Sequence, residues 1–208
     1  MSPSDKKAAT ESAAKSAAKS AAKSAAESAA ESAAKSAPRS ATKAADKPAA
    51  GASRARQYWL MKSEPDEASI DTLAEQGRLP WTGVRNYQAR NFMRDAMRIG
   101  DGVLFYHSSC PQPGIAGLAE VCSTPYPDPT QFDPHSKYHD PASKPEHPRW
   151  ELVDVKFVDK CELISLAQLR EHEELADMIV LRRGNRLSIT PVTPLEWQFI
   201  TTRLMGRR

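Results

Sequence analysis

Tyr58-Trp59-Leu60-Met61-Lys62-Ser63-Glu64-Pro65 is the stretch on which the reading of this chain turns. Four apolar residues run into polar groups and a proline, the pattern of an opening strand that stops at Ser63. Nothing ahead of it can join a core. From Glu11 to Lys43 a charged residue recurs at every fourth position, and no large apolar side chain stands between Met1 and Tyr58. A four-residue period drifts around a 3.6-residue helix and makes no apolar stripe. Residues 1–57 therefore read as a low-complexity Ala/Lys/Ser tail, disordered or transiently helical, and residues 58–208 as one domain.

Charge divides along the same line. The tail holds eleven Lys or Arg against five Asp or Glu, a net of +6, so the overall +3 leaves a domain of −3. A basic tail attracts phosphate without sequence preference, and a solubilising linker would look the same. About 150 residues suffice for a real core. The chain lacks an eighteen-residue apolar run and an N-terminal apolar stretch, so no membrane partner is expected and a cytoplasmic location is. That location would be nucleoid-associated in a bacterium, or nuclear if the source is eukaryotic. Cys110, Cys122 and Cys161 are odd in number and widely spaced, which suits reduced thiols in a monomer better than a disulfide framework.

Working outward from Tyr58, Ser69 should cap a short helix through Gln76, closed by Gly77. Asn86 should cap a helix from Tyr87 to Met97, on which Ala89, Phe92, Met93, Ala96 and Met97 recur at helical spacing. Val103–His107 and Ile115–Cys122 read as strands. Seven prolines between Pro125 and Pro148 make a long surface excursion. A strand is expected over Glu151–Lys160 and a helix from Ser165 through His172. Another strand should cover Arg186–Thr190, and a last helix should open at Thr193-Pro194. Short strands mixed with short helices, without a βαβ repeat, predict an α+β domain on a small curved sheet or barrel.

Catalytic signatures are mostly missing: the chain has no G-x-G-x-x-G, no phosphate-binding G-x-x-x-x-G-K-[ST] and no G-x-S-x-G. His172-Glu173-Glu174-Leu175-Ala176 has alanine where a zinc motif needs its second imidazole, and His135/His139 lack a third ligand. No metal and no cofactor are expected. Trp81-Thr82-Gly83-Val84-Arg85-Asn86-Tyr87-Gln88-Ala89-Arg90-Asn91 is more telling. It crowds an aromatic plane, amides and guanidinium groups together, the parts needed to hold a nucleobase taken out of its stack. Trp81 as a buried plug and Asn86 as a plain helix cap are the alternative readings. Arg85 and Arg90, with Arg183 and Arg186 in the turn Arg182-Arg183-Gly184-Asn185-Arg186, are candidates for phosphate. Tyr106-His107-Ser108-Ser109-Cys110 ends a strand, where His107 could act as a base or these groups could hydrogen-bond at a pocket mouth.

Tyr58–Pro65, Trp81–Asn91, Phe105-Tyr106-His107-Ser108, Gly114-Ile115-Ala116-Gly117, Tyr126-Pro127-Asp128 with Gln131-Phe132, and Val153-Asp154-Val155-Lys156-Phe157 together resemble the EVE domain of the thymocyte nuclear protein 1 family. The resemblance spans about Tyr58 to Leu204 and leaves the tail out. It implies a PUA-like fold, a small β-barrel flanked by helices and related to YTH domains. It also implies a non-catalytic pocket for a modified base, 5-methylcytosine or 5-hydroxymethylcytosine in DNA. On this basis Lys62 and Ser63 would line the pocket, Trp81 would supply its aromatic wall, and Arg186 near Ser188 would hold a flanking phosphate. Asn86, Tyr106, His107 and Ser108 fall where that pocket is expected. An RNA-binding module of the same fold, and a hydrolase or nucleotide-modifying enzyme centred on His107, are the alternatives.

Overall fold

The computed structural model describes residues 54–207, so the expected tail lies outside the described residues up to position 53. Strands β1 (Tyr58–Ser63) and β3 (Gly102–His107) pair in parallel at the centre, with Tyr58 opposite Gly102 and Ser63 opposite His107. A parallel pair needs a crossover. Here it carries helix α1 (Ile70–Gln76), strand β2 (Arg78–Pro80) and helix α2 (Tyr87–Asn91). Strand β4 (Gly114–Val121) then returns antiparallel beside β3. The short strands β5 (Tyr126–Pro127) and β6 (Glu151–Leu152) pair with each other at either end of the excursion. Strand β7 (Asp154–Ser165), helix α3 (Leu166–Leu169), strand β8 (Ile189–Val192) and helix α4 (Pro194–Phe199) complete the order. The main sheet runs β2-β7-β4-β3-β1-β8.

Why the central strands read as continuous apolar runs is now plain: both faces of the sheet are covered. Trp59, Met61, Val103 and Phe105 face one cluster with Ile70, Leu73 and Met93. Leu60, Leu104 and Tyr106 face another with Ile115, Leu118 and Ile200. Period-two alternation sorts successive side chains onto opposite faces, and neither face meets water. Leu79 and Pro80 on edge strand β2, and Ser188 next to edge strand β8, line one cavity, so the α+β sheet curls on itself as a small barrel does.

Local signals predict local structure well. Ser69 accepts the Thr72 N–H at 3.0 Å, and Gly77 closes α1 at φ 72°. Ser165 and Thr193 each form a capping box. Elsewhere packing shifts the boundaries. The helix expected through Met97 is α-helical only to Asn91 and continues as a π-turn over Phe92–Ala96, where the Met97 N–H reaches the Phe92 carbonyl. The last helix ends the same way, over Ile200–Leu204. The helix after Ser165 stops at Leu169, short of His172, and a separate 3-10 turn covers Glu173–Leu175. The strand expected from Arg186 begins at Ile189, because the Asn185 side chain accepts the Leu187 N–H and makes a turn there. All three cysteines are free thiols, and no described helix is long and apolar enough to cross a membrane.

Candidate functional site

At the carboxyl ends of β1 and β3 lies a cavity of about 460 Å³. The two strand ends are fastened together. The Ser63 carbonyl accepts the Ser108 N–H at 2.8 Å, and the Ser63 hydroxyl donates to the Ala68 carbonyl at 2.8 Å. Beside them, the Lys62 N–H donates to the Ser188 carbonyl at 2.8 Å, which ties on the chain that brings Arg186. Ser109 follows at φ 55°, an unusual backbone for a residue other than glycine, and it too borders the cavity.

Trp81 stands where β2 ends, its N–H donating to the Val153 carbonyl at 2.9 Å. The residue is only 6% exposed, and its ring lies edge-on to Phe105, 5.3 Å between centroids at 79°. It is therefore packed and also borders the open space. Lys62 is half-buried, and that burial holds its ammonium below the ordinary lysine value. It forms no ion pair with a described residue, whereas Arg85 and Glu67 on the same cavity are each paired.

Seven of the twelve expected site residues line this cavity: Lys62, Ser63, Trp81, Arg85, Ser108, Arg186 and Ser188. The other five do not. Asn86 caps α2, its Oδ1 accepting the Gln88 and Ala89 N–H groups at 2.9 and 3.1 Å. Tyr106 points to the opposite face of the sheet, where burial raises its phenol pKa. His107 faces the cavity side of the sheet, but its Nε2 accepts the Ile70 N–H at 3.1 Å and burial holds the imidazole below its usual value. A general base would need that lone pair free. Arg183 is exposed beside Gly184, away from the cavity.

Arg85 and Arg90, the arginines expected to meet phosphate, are both tied to neighbours within the protein. Arg85 spends every guanidinium N–H inside the protein: Nε on the Tyr138 carbonyl at 2.7 Å, Nη1 on Asp128 at 2.8 Å and Val84, and Nη2 on Thr130 at 2.9 Å and Tyr138. Arg90 gives Nε and Nη2 to Asn91 and Nη1 to the Arg149 carbonyl at 2.7 Å. Arg85 has no donor left for a phosphate, whereas Arg90 keeps one N–H on each Nη. Asp128 answers Arg85 from the excursion. Burial pushes its carboxyl up, but hydrogen bonds from Thr130, Arg85 and Gly83 outweigh that and hold it below 3.8.

Among the cavity residues not expected at the site are Glu64, Glu67 and Tyr138. Tyr138 donates to Glu67 across 71 positions of sequence, and no local pattern foretells such a meeting. Among the described residues no group of three His, Cys, Asp or Glu could hold a metal ion.

Comparison with known proteins agrees with this architecture. The EVE domain family model matches residues 57–203. Human thymocyte nuclear protein 1 is 42% identical over 163 residues, covering 69% of this chain and 72% of the relative. A crystal structure of a Pseudomonas syringae protein is 49% identical with a TM-score of 0.68, covering 70% of this chain and 97% of that one. A structure of human THYN1 protein in complex with 5-methylcytosine-containing DNA is 41% identical with a TM-score of 0.68, covering 73% and 99%. On the strength of the family model and these relatives, the chain belongs to the EVE domain family.

Proposed function

We propose that this EVE domain binds DNA and reads a modified cytosine, 5-methylcytosine or 5-hydroxymethylcytosine, without catalysing a reaction. One observation carries the proposal: the cavity bordered by Trp81 opens between strand ends that also present Lys62, Ser63 and Ser108. A DNA complex containing 5-methylcytosine exists for a relative of the same fold, which supports the choice of ligand. In this reading Trp81 stacks on the extruded base while Lys62, Ser63 and Ser108 meet its polar edge. Arg186, exposed and without an ion pair to a described residue, takes the flanking phosphate beside Ser188.

The energies are consistent. Extruding a base costs a few kcal/mol, and stacking on one aromatic side chain returns about 1–3 kcal/mol. The remainder must come from hydrogen bonds and phosphate contacts. Burying one methyl group adds about 0.8 kcal/mol, or roughly fourfold in affinity. Discrimination by the methyl alone is therefore small.

Titration of fluorescein-labelled duplexes, identical except for one cytosine or 5-methylcytosine, tests the proposal by anisotropy at two salt concentrations. Tighter binding of the modified duplex is expected, and Trp81→Ala should abolish that difference while leaving salt-sensitive binding in place. Equal affinity for both duplexes in the unaltered protein would sink it, as would tighter binding of a matched RNA.

A further inference from the structure

We propose that Tyr138 is a second aromatic wall of the cavity that contacts the bound base, and that its hydroxyl clasps the excursion to the β1–α1 turn across the cavity mouth. The inference rests on the base-reading function above and adds a residue that sets its specificity. Tyr138 lies in the proline-rich excursion, where a partly exposed aromatic ring has no reason of its own to hold one position. Four separate restraints nevertheless fix it. Its carbonyl accepts Arg85 Nε at 2.7 Å. Its ring rests on Gly83, where an added Cβ would sit 2.6 Å from the ring carbons, and φ +80° there also favours glycine. Its hydroxyl donates to Glu67 at 2.7 Å. Lys137 forms an ion pair with the same carboxylate, and its ammonium lies 5.1 Å from the ring centroid.

Gly83 follows Trp81 by two residues, so seating Tyr138 on it brings two aromatic rings to the border of one open space. Ring and indole then meet a planar heterocycle from different sides, and stacking on each contributes. Glu67, on the turn between β1 and α1, receives the phenol from the other rim. Clasping the rims lengthens residence of the base without adding to the phosphate contacts that bind any duplex.

The test compares full-length protein with Tyr138→Leu, which keeps apolar bulk on Gly83 but removes the flat ring, and Tyr138→Phe, which keeps the ring but removes the clasp. Anisotropy and stopped-flow dissociation use the 5-methylcytosine and plain duplexes. Tyr138→Leu should weaken the modified duplex roughly tenfold and the plain duplex less than twofold. Tyr138→Phe should hold the modified duplex within about threefold of the unaltered protein but release it faster. Wild-type affinity in Tyr138→Leu, or equal loss on both duplexes, overturns the proposal and leaves base reading intact. Absence of any preference in the unaltered protein overturns both.

Discussion

Leu60 and Leu104, at the middle of β1 and β3, are wholly buried among aliphatic neighbours. Gln131, in the excursion over residues 125–148, is buried just as completely, but every polar atom of its side chain has a hydrogen-bond partner. Its Nε2 donates to the Asp128 and Trp150 carbonyls at 2.8 Å each, and its Oε1 accepts from Ser143 and from the Arg149 and Trp150 N–H groups. The first region is held by a repeating pattern of apolar side chains. In the second, one side chain stands in for the backbone ladder that seven prolines forbid. An irregular loop can thus be as well defined as a strand, provided its polar groups are all paired.

Leu104→Ala should have the largest effect. It opens a cavity in the centre of the sheet and should cost about 2–5 kcal/mol in urea unfolding, with every spectroscopic probe moving together. Gln131→Ala sharpens the contrast. It strips the Trp150 N–H of its acceptor and takes one of two partners from the Arg149 N–H and from the Asp128 and Trp150 carbonyls, a loss of roughly 1–3 kcal/mol confined to the excursion. Hydrogen exchange should quicken over residues 125–150 while β3 keeps its protection. A uniform loss of protection would break the comparison.

Acid should separate the two regions by a smaller effect. His107, neutral and bonded to the Ile70 N–H, has its folded value lowered by burial. That stabilisation is complete above 6.5 and is lost as the pH falls through the lower folded value. Asp128 is held below 3.8 despite its burial, so the anchor it gives the excursion is complete above 3.8 and fails only in stronger acid. Amide exchange should therefore loosen at Ile70 before it loosens at Gly83 and Thr130 as the pH is lowered. The reverse order would contradict both assignments.

These contrasts also mark what could be read in the chain alone. The apolar runs of β1, β3 and β4 and the caps at Ser69, Asn86, Ser165 and Thr193 are local signals, and the helices and strands begin close to them. Strand β2 went unread, since three residues ending in proline carry no period. Within the site, Ser63 and Ser108 were legible as strand ends, but their meeting depends on the parallel register of β1 on β3. Arg85 looked like a free cation because Asp128 and Tyr138 stand 43 and 53 positions away. Tyr138 and Glu67 were invisible for the same reason. Partners that far apart in sequence are brought together by tertiary packing, and residue spacing says nothing of it.

The four tryptophans have been sorted by the fold into four different surroundings. Trp59 donates to Asp101, Trp150 donates to Asp140 and stacks on Tyr87, and Trp197 stacks on Tyr58. Of these indoles Trp81 alone borders the cavity at the strand ends. The protein thus carries an optical reporter at its own mouth, with three others to serve as internal standards. A single phenylalanine replacement at position 81 would separate the signal of occupancy from the emission of the scaffold, with no dye attached.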